Sequence, residues 1–211
     1  MPIRDSTARR ERAREHTRRD ILLAAAEVFA RRGYAAATLA ELAEAAGFAA
    51  PSLYRYFESK EEIFRSLVEL FVREMDATFE EPMDRGLPLA SRLEALLRAQ
   101  ARIAETFRSA FSVLDAAGPE LAAVAPQLRS PRAGLDYYES RLVPWLRRHA
   151  AKGELRLPPE TVARAFAGIA FAFRSCPGDP TPLDPQVVHK IVDLALNGFS
   201  APAARRRGVT P

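Results

Sequence analysis

The sequence has few residues that form crosslinks or bind metal ions. Its 211 residues include one cysteine, Cys176, and three histidines. One cysteine excludes an internal disulfide and a zinc site built from thiolates. No Ser-His-Asp arrangement, carboxylate pair or glycine-rich phosphate loop stands out, so we expect no enzyme, no metal site and no cofactor. Cys176 and His149 lack a partner pattern and are interpreted as structural.

Long apolar runs and strand patterns are also missing. No hydrophobic stretch reaches the length of a membrane span, and the charged N-terminus lacks the apolar segment of a secretion signal. We therefore expect a cytoplasmic protein. Hydrophobic residues make up 48% of the chain, which is ample for a packed core. Because Ala and Leu dominate and β-branched residues are few, the composition predicts an all-α fold.

One distinctive pattern is present, in residues 38–60 (TLAELAEAAGFAAPSLYRYFESK). Its first part has apolar residues at the spacing of a helix face: Leu39, Leu42, Ala43 and Ala46. Thr38 precedes this face, and Glu41 follows three residues later, which is the capping-box pattern. Gly47 is suited to end the helix because glycine adopts positive φ at low cost.

A second short helix is predicted from about Pro51, whose fixed φ suits a first helical turn. Leu53 and Phe57 lie one turn apart and are expected to face inward. The outer face then holds Ser52, Tyr54, Arg55 and Tyr56. A helix this short is not stable alone, so its outer face must have a use. Two helices joined by a glycine-containing turn indicate a DNA-binding helix-turn-helix.

These residues closely resemble the DNA-binding domain of the TetR (tetracycline-repressor-like) family. The resemblance covers residues 20–72 and is most specific in residues 53–61, LYRYFESKE. It implies a three-helix DNA-binding domain followed by a larger helical domain. Two positions depart from the family pattern: Ala49 replaces the usual Ser or Thr, and Ala50 replaces a residue that is often polar. The second helix of the motif is therefore expected to lack a side-chain N-cap.

Six residues are candidates for DNA contact: Thr38, Ser52, Tyr54, Arg55, Tyr56 and Lys60. Arg55 is the candidate for base contact, since its guanidinium can donate to both O6 and N7 of guanine. The two tyrosines suit phosphate oxygens, and the second also a thymine methyl group; alternatively, both pack the domain. The Ser and Thr hydroxyls can donate to phosphate, and the family pattern implies a phosphate contact for the lysine.

The charge distribution and the helix pattern divide the chain into four segments. Residues 1–16 form a basic arm, expected to be disordered or to fray into the first helix. Residues 17–60 form the helix-turn-helix domain, residues 61–200 the effector-binding and dimerisation domain, and residues 201–211 a basic tail. The net charge of +4 resides at the two ends, which either follow DNA phosphates or are solvated tails.

Apolar stripes, caps and prolines predict the remaining helices. They are expected at about 17–32, 59–81, 88–117, 120–128, 130–152, 159–175 and 184–199. Pro144 lies inside one of these patterns and should kink that helix or reset its start.

The larger domain contains candidates for binding the small hydrophobic or aromatic effector that the resemblance implies. Gln100 falls on an apolar stripe, where its amide needs a partner, either a ligand or a neighbouring backbone group or water. Aromatic side chains either line an effector cavity or form the core: Phe107, Phe111, Tyr138, Trp145, Phe166 and Phe173.

The last two helices are expected to pair with their copies in a homodimer. A dimer would place two DNA-binding helices about one DNA turn apart, on a near-palindromic operator in double-stranded DNA. The resemblance then implies a repressor released by an effector. One alternative is a DNA-binding protein of this fold with a protein partner and no small effector. Another is an all-α enzyme or carrier with an accidental helix-turn-helix resemblance.

Overall fold

The computed structural model describes residues 3–81, 83–84, 86–107, 131–174 and 185–197. In these residues every regular element is helical, as predicted. The helices are α1 (Ile3–Arg32), α2 (Leu39–Ala45), α3 (Ala50–Leu53), α4 (Lys60–Glu80), α5 (Leu89–Thr106), α6 (Pro131–His149), α7 (Pro159–Arg174) and α8 (Pro185–Asn197). No helix in this part of the chain is long and apolar enough to cross a membrane.

Helix α1 begins at Ile3, so the expected disorder of residues 1–16 is wrong from Ile3 onward. Hydrogen bonds and an ion pair hold this N-terminal extension of α1 in place. The hydroxyl of Thr17 donates to the carbonyl of Ala13, at 2.9 Å. Glu15 lies 3.6 Å from Arg73 on α4, and Arg14 donates a hydrogen bond to the carbonyl of Arg55. The helix ends as predicted, where Gly33 adopts a φ of 76°.

The turn between α2 and α3 forms from the local signals in the sequence. The capping box of Thr38 and Glu41 is present at the start of α2. Gly47 has a φ of 74° and ends α2. Ala49 precedes α3 and makes no side-chain cap, as its methyl group predicted. Helix α3 is shorter than expected and contains only Ala50–Leu53, followed by turns.

Helix α4 is shared by two hydrophobic cores. Its N-cap is Ser59, whose hydroxyl accepts a hydrogen bond from the backbone N–H of Glu62, as predicted. Buried residues up to Met75 pack with α1, α2 and α3. From Phe79 onward, α4 packs with the core of α5, α6, α7 and α8. We call α1–α3 with the first part of α4 the head, and the remaining helices the body.

Helix α5 ends at Thr106, so the predicted continuation of this helix to residue 117 is wrong. Phe107 leaves helical geometry with a φ of −101° and a ψ of 15°. Its side chain is fully buried in the core of the head, not in that of the body. There its ring packs edge-on against Phe71, with 5.6 Å between centroids. This contact joins the end of α5 to α4 and so links the body to the head.

The body is a bundle in which α5 and α7 both contact α8, and α6 packs on α7 and α4. Helix α6 continues through Pro144 without a new start. Trp145 and Leu146 are buried directly after the proline, and their packing holds the helix together there. The predicted helix at 120–128 and the tail at 201–211 lie outside the described residues, as does Cys176.

Truncating Phe107 should destabilise the protein because the ring fills the junction of head and body. We expect Phe107→Ala to lower the free energy of unfolding by about 3–5 kcal/mol, measured by urea denaturation. Leu157→Ala is the control, since that side chain is 55% exposed and its removal should change stability by less than about 0.5 kcal/mol. Equal effects of the two substitutions would contradict this assignment of Phe107.

Candidate nucleic-acid interface

The outer face of α3 and the turn after it is open to solvent. Tyr54 is 56% exposed, which is unusual for an aromatic side chain. Arg55 is also exposed, whereas Ser52 and Tyr56 are half-buried. Leu53 and Phe57 are buried beneath them, as predicted. The structure therefore places the four predicted outer residues together in α3 and the turn after it.

Two arginines of α1 hold the turn that follows α3. Arg14 donates to the carbonyl oxygen of Arg55 at 3.2 Å, and Arg18 donates to that of Tyr56. The Arg18 guanidinium also lies 4.1 Å from the ring centroid of Phe57. Carbonyl groups at the end of a helix lack partners within it. The two arginines satisfy them from 41 and 38 residues away along the chain.

Tyr56 serves partly as a packing residue. Its ring contacts that of Phe48 at 5.6 Å, and both are packed against the core of the head. This geometry agrees with the alternative that Tyr56 packs the domain. It does not apply to Tyr54, whose ring extends into solvent.

The Lys60 ammonium group is engaged within the chain. It donates to the carbonyl oxygens of Tyr34, Ala35 and Ala37, at 2.9, 3.1 and 3.0 Å. It also lies 4.7 Å from the centroid of the Tyr34 ring. An ammonium has three donors, and all three are used here. Lys60 thus joins the start of α4 to the turn between α1 and α2, and the phosphate contact expected from the sequence would have to compete with these carbonyl groups.

Thr38 is exposed, but its hydroxyl is committed to the capping box. It accepts from the backbone N–H of Glu41 at 3.3 Å and lies 3.0 Å from a carboxylate oxygen of the same residue. The backbone N–H of Thr38 also donates to this carboxylate, and this hydrogen bond is the main cause of the lowered pKa of Glu41. A phosphate contact from the Thr38 hydroxyl would have to compete with Glu41.

The family of the head follows from a comparison with known families. The family model for bacterial regulatory proteins of the tetR family matches residues 21–67. Residues 21–67 are therefore similar to the DNA-binding domain of the tetR family. The matched region runs from the buried part of α1 to the middle of α4 and includes the whole surface described above.

The curated relatives that this chain resembles include both a repressor and an activator. The chain is 32% identical over 96 residues to the transcriptional repressor KstR2 of Rhodococcus jostii, covering 46% of this chain and 47% of the relative. It is 34% identical over 86 residues to the transcriptional activator FasR of Mycolicibacterium smegmatis, covering 41% and 39%. The match thus spans less than half the length of each. These relatives are transcription factors, in agreement with the expectation that this chain is not an enzyme.

The body also has the arrangement of solved TetR-family structures. The TetR-family transcriptional regulator PfmR of Thermus thermophilus superimposes with a TM-score of 0.64 at 27% identity. The superposition covers 86% of this chain and 99% of PfmR. The fold predicted from the sequence, a helix-turn-helix domain followed by a larger helical domain, is therefore confirmed.

Within the body, the buried amide of Gln100 finds its partners in other helices. The Nε2 group donates to the Thr78 hydroxyl at 3.2 Å, and Oε1 accepts from the Tyr138 hydroxyl at 2.5 Å. Thr78 in turn donates to the carbonyl of Met75 at 2.7 Å. Side chains of α4 and α6 thus supply the partners for which the sequence analysis expected a ligand, a backbone group or water.

A second polar contact between α4 and α6 lies close by. The Tyr137 hydroxyl donates to Asp76 at 2.6 Å, and Arg141 pairs with the same carboxylate at 2.9 Å. Burial, followed by the hydrogen bond to Asp76, raises the pKa of Tyr137 to about 12. The hydroxyl is therefore a permanent donor at neutral pH. Together with Gln100, this contact fixes the second half of α4 against the body.

The aromatic effector candidates are mostly packed in the two cores. Trp145 and Phe166 are buried in the core of the body, and Phe107 lies in that of the head. Tyr138 is half-buried and contacts Phe79 at 5.6 Å. Phe111 and the side chain of Phe173 lie outside the described residues. A cleft of about 260 Å³ between α4 and α5 is lined by none of the seven candidates.

Arg14 and Arg18 are site residues that the sequence analysis missed. Their positions carry a signal, because they lie seven and three residues before Ile21, which is fully buried in the core of the head. The stripe of α1 that packs into the head therefore continues backward onto these two arginines. Arginines that extend a buried stripe toward a short helix are candidates for capping its carbonyl groups.

Replacing Lys60 should lower stability. We expect Lys60→Met to reduce the free energy of unfolding by roughly 1.5–3 kcal/mol, because three carbonyl groups lose a charged donor while the aliphatic stem is kept. Urea denaturation measures this loss. Lys152→Met, at an exposed position, is the control and should leave stability unchanged. Unchanged stability of the Lys60 variant, with a loss of DNA affinity alone, would restore the phosphate contact.

Proposed function

We propose that this chain is a DNA-binding transcriptional regulator of the TetR type. The observation that carries the proposal is the surface of Ser52, Tyr54 and Arg55, held by Arg14 and Arg18 inside a domain that matches the tetR family. A four-residue helix followed by an exposed tyrosine and arginine is costly to order, and its position in the domain suits insertion into the major groove. A DNA-binding role would place the protein in the cytoplasm.

The proposed contacts follow from this surface. Arg55 donates to guanine, Tyr54 and Ser52 contact phosphate oxygens, and Tyr56 presents its edge to a thymine methyl group. The Thr38 hydroxyl adds a phosphate contact where the DNA backbone outcompetes Glu41. These assignments follow the predictions made from the sequence, and the phosphate contact of Lys60 is proposed on the same condition, that the DNA backbone outcompetes the carbonyl groups of Tyr34, Ala35 and Ala37.

A homodimer through α7 and α8 would present two such surfaces to a near-palindromic site. In support, Val187, Leu194 and Leu196 of α8 are apolar and remain half-exposed in the single chain. A repressor that blocks a promoter is the proposed mode of action, supported by the similarity to KstR2. The similarity to FasR makes activation the competing outcome.

The function is tested by selecting binding sites from a pool of random duplex DNA with the purified full chain. A regulator should enrich a near-palindrome, and it should bind the enriched duplex at least about 1,000-fold more tightly than an unrelated duplex at physiological salt. Mass measurement of the complex should find an even number of chains. Enrichment of no sequence would overturn the proposal.

Removing the Arg55 guanidinium should relax sequence recognition. We expect Arg55→Ala to weaken binding to the selected duplex by about 1–3 kcal/mol, with a small effect on an unrelated duplex, because alanine cannot donate to a guanine base. Fluorescence anisotropy titrations give both affinities. Arg156→Ala removes the same charge at an exposed position of the body and should match wild type. An equal reduction of affinity on both duplexes would assign Arg55 to phosphate instead.

A small hydrophobic or aromatic effector is proposed to bind in the body. Support comes from Trp145, whose indole N–H is buried without an acceptor among the described residues. Burying such a donor unpaired is unfavourable, and a ligand that carries a carbonyl or carboxylate would satisfy it. The ring of His149 stacks on the indole, with 4.4 Å between centroids. An effector acts only through its different affinity for the DNA-bound and free conformations.

Trp145 is the only tryptophan of the chain, so its fluorescence reports on this site alone. Apolar carboxylic acids and aromatic ketones are screened for a change in its emission. A compound that binds at Trp145 should shift the emission and also release the selected duplex. Trp145→Phe should keep the fold and abolish release of the selected duplex by the compound, measured by fluorescence anisotropy of labelled DNA. If compounds release the duplex without changing the emission, the effector binds elsewhere.

A further inference from the structure

A basic cleft lies between the N-terminal extension of α1 and the turn after α3. Its volume is about 490 Å³, and it is lined by Arg10, Ala13, Arg14, Thr17, Arg55 and Tyr56. Three of these six residues are arginines, and none of them is an aspartate or a glutamate. The cleft is therefore a concentration of positive charge beside the proposed DNA-contacting surface.

The arginines of the cleft differ from those farther along α1. Arg18 pairs with Glu62 at 3.5 Å, Arg19 with Glu74 at 3.0 Å and Arg32 with Glu41 at 2.9 Å. By contrast, the described part of the chain supplies no carboxylate partner to Arg10 or Arg14.

Arg14 uses one nitrogen on the carbonyl oxygen of Arg55. A guanidinium has five N–H donors, so the other nitrogen of its fork keeps donors for a second acceptor. The charge of the cleft is therefore not neutralised by the chain itself.

Helix geometry places the arginines of the cleft on one side of α1. Arg10, Ala13, Arg14 and Thr17 are spaced by three and four residues and share one face of α1. Because α1 is continuous from Ile3, Arg10 lies about 10 Å beyond Thr17 along the helix axis. The methyl group of Ala13 between the two arginines leaves room for a bulky anion to approach.

We propose that Arg10 and Arg14 bind phosphate groups of the DNA backbone, next to the half-site that α3 contacts. This inference rests on the proposed function and adds a second element to the interface. Guanidinium groups bind phosphate oxygens through paired, charge-assisted hydrogen bonds. The contact is independent of sequence, and it lengthens the DNA segment that each protomer covers.

The test compares two variants of the cleft with two variants of the same helix. Arg10→Gln and Arg14→Gln each remove one charge from the cleft. Arg9→Gln and Arg12→Gln remove the same charge from exposed positions of α1 that do not line it. Affinity is measured over a series of NaCl concentrations on the duplex selected by wild type and on an unrelated duplex. Circular dichroism and thermal melting establish that each variant is folded.

Removing one phosphate-binding arginine from each protomer of a dimer should flatten the salt dependence. We expect the slope of log K against log salt concentration to become shallower by about 2 units in Arg10→Gln and by about 4 in the double variant. Affinity near physiological salt should fall on the order of tenfold for Arg10→Gln, by similar factors on the two duplexes. The Arg9 and Arg12 variants should stay close to wild type.

Several results would overturn the inference. Equal reductions of affinity in the cleft variants and in the controls would mean that general charge is responsible. A reduction limited to the selected duplex would indicate a base contact instead. If inorganic phosphate raises the melting temperature of wild type above chloride at equal ionic strength, and the double variant abolishes this difference, the cleft binds a free anion. Failure of wild type to bind either duplex would reject the proposed function and this inference together.

Discussion

Backbone carbonyl groups in the turns of the head need donors from elsewhere in the chain. A helix of four residues forms almost no hydrogen bonds of its own, and Ala49 offers it no N-cap. The turn after α3 is completed by Arg14 and Arg18, and the turn between α1 and α2 by Lys60. The proposed DNA-contacting surface thus depends on three cationic side chains that lie beneath it or beside it.

Hydrogen bonds between residues far apart in the sequence also hold the connection between head and body. Helix α4 enters the body through polar contacts that cross from one helix to another, since Asp76 binds Tyr137 and Thr78 binds Gln100. Buried hydrogen bonds of this kind fix the relative position of helices more narrowly than apolar packing does. A change at α6 would therefore reach α4 directly, and through α4 the core beneath α3.

Helix caps and turns that depend on residues close together in the sequence were predictable from the sequence. The capping box of Thr38, the positive φ of Gly47 and the N-cap of Ser59 each depend on neighbours within four residues. The tetR match and the all-α fold followed from such signals. Contacts between distant residues were not predictable in this way. The roles of Lys60 and Phe107 were missed because their partners lie 23 or more residues away in the sequence.

Phe107 has a consequence for how this chain can be divided. A fragment that stops at residue 60 would lack Ile63, Phe64, Leu67 and Phe71, which are part of the head's own core. A fragment extended through Met75 would still lack Phe107, whose ring packs against that of Phe71 from the end of α5. The core of the head therefore includes a residue from the end of α5. In this chain the head and the body share buried side chains at their boundary, and no linker separates them in the described residues.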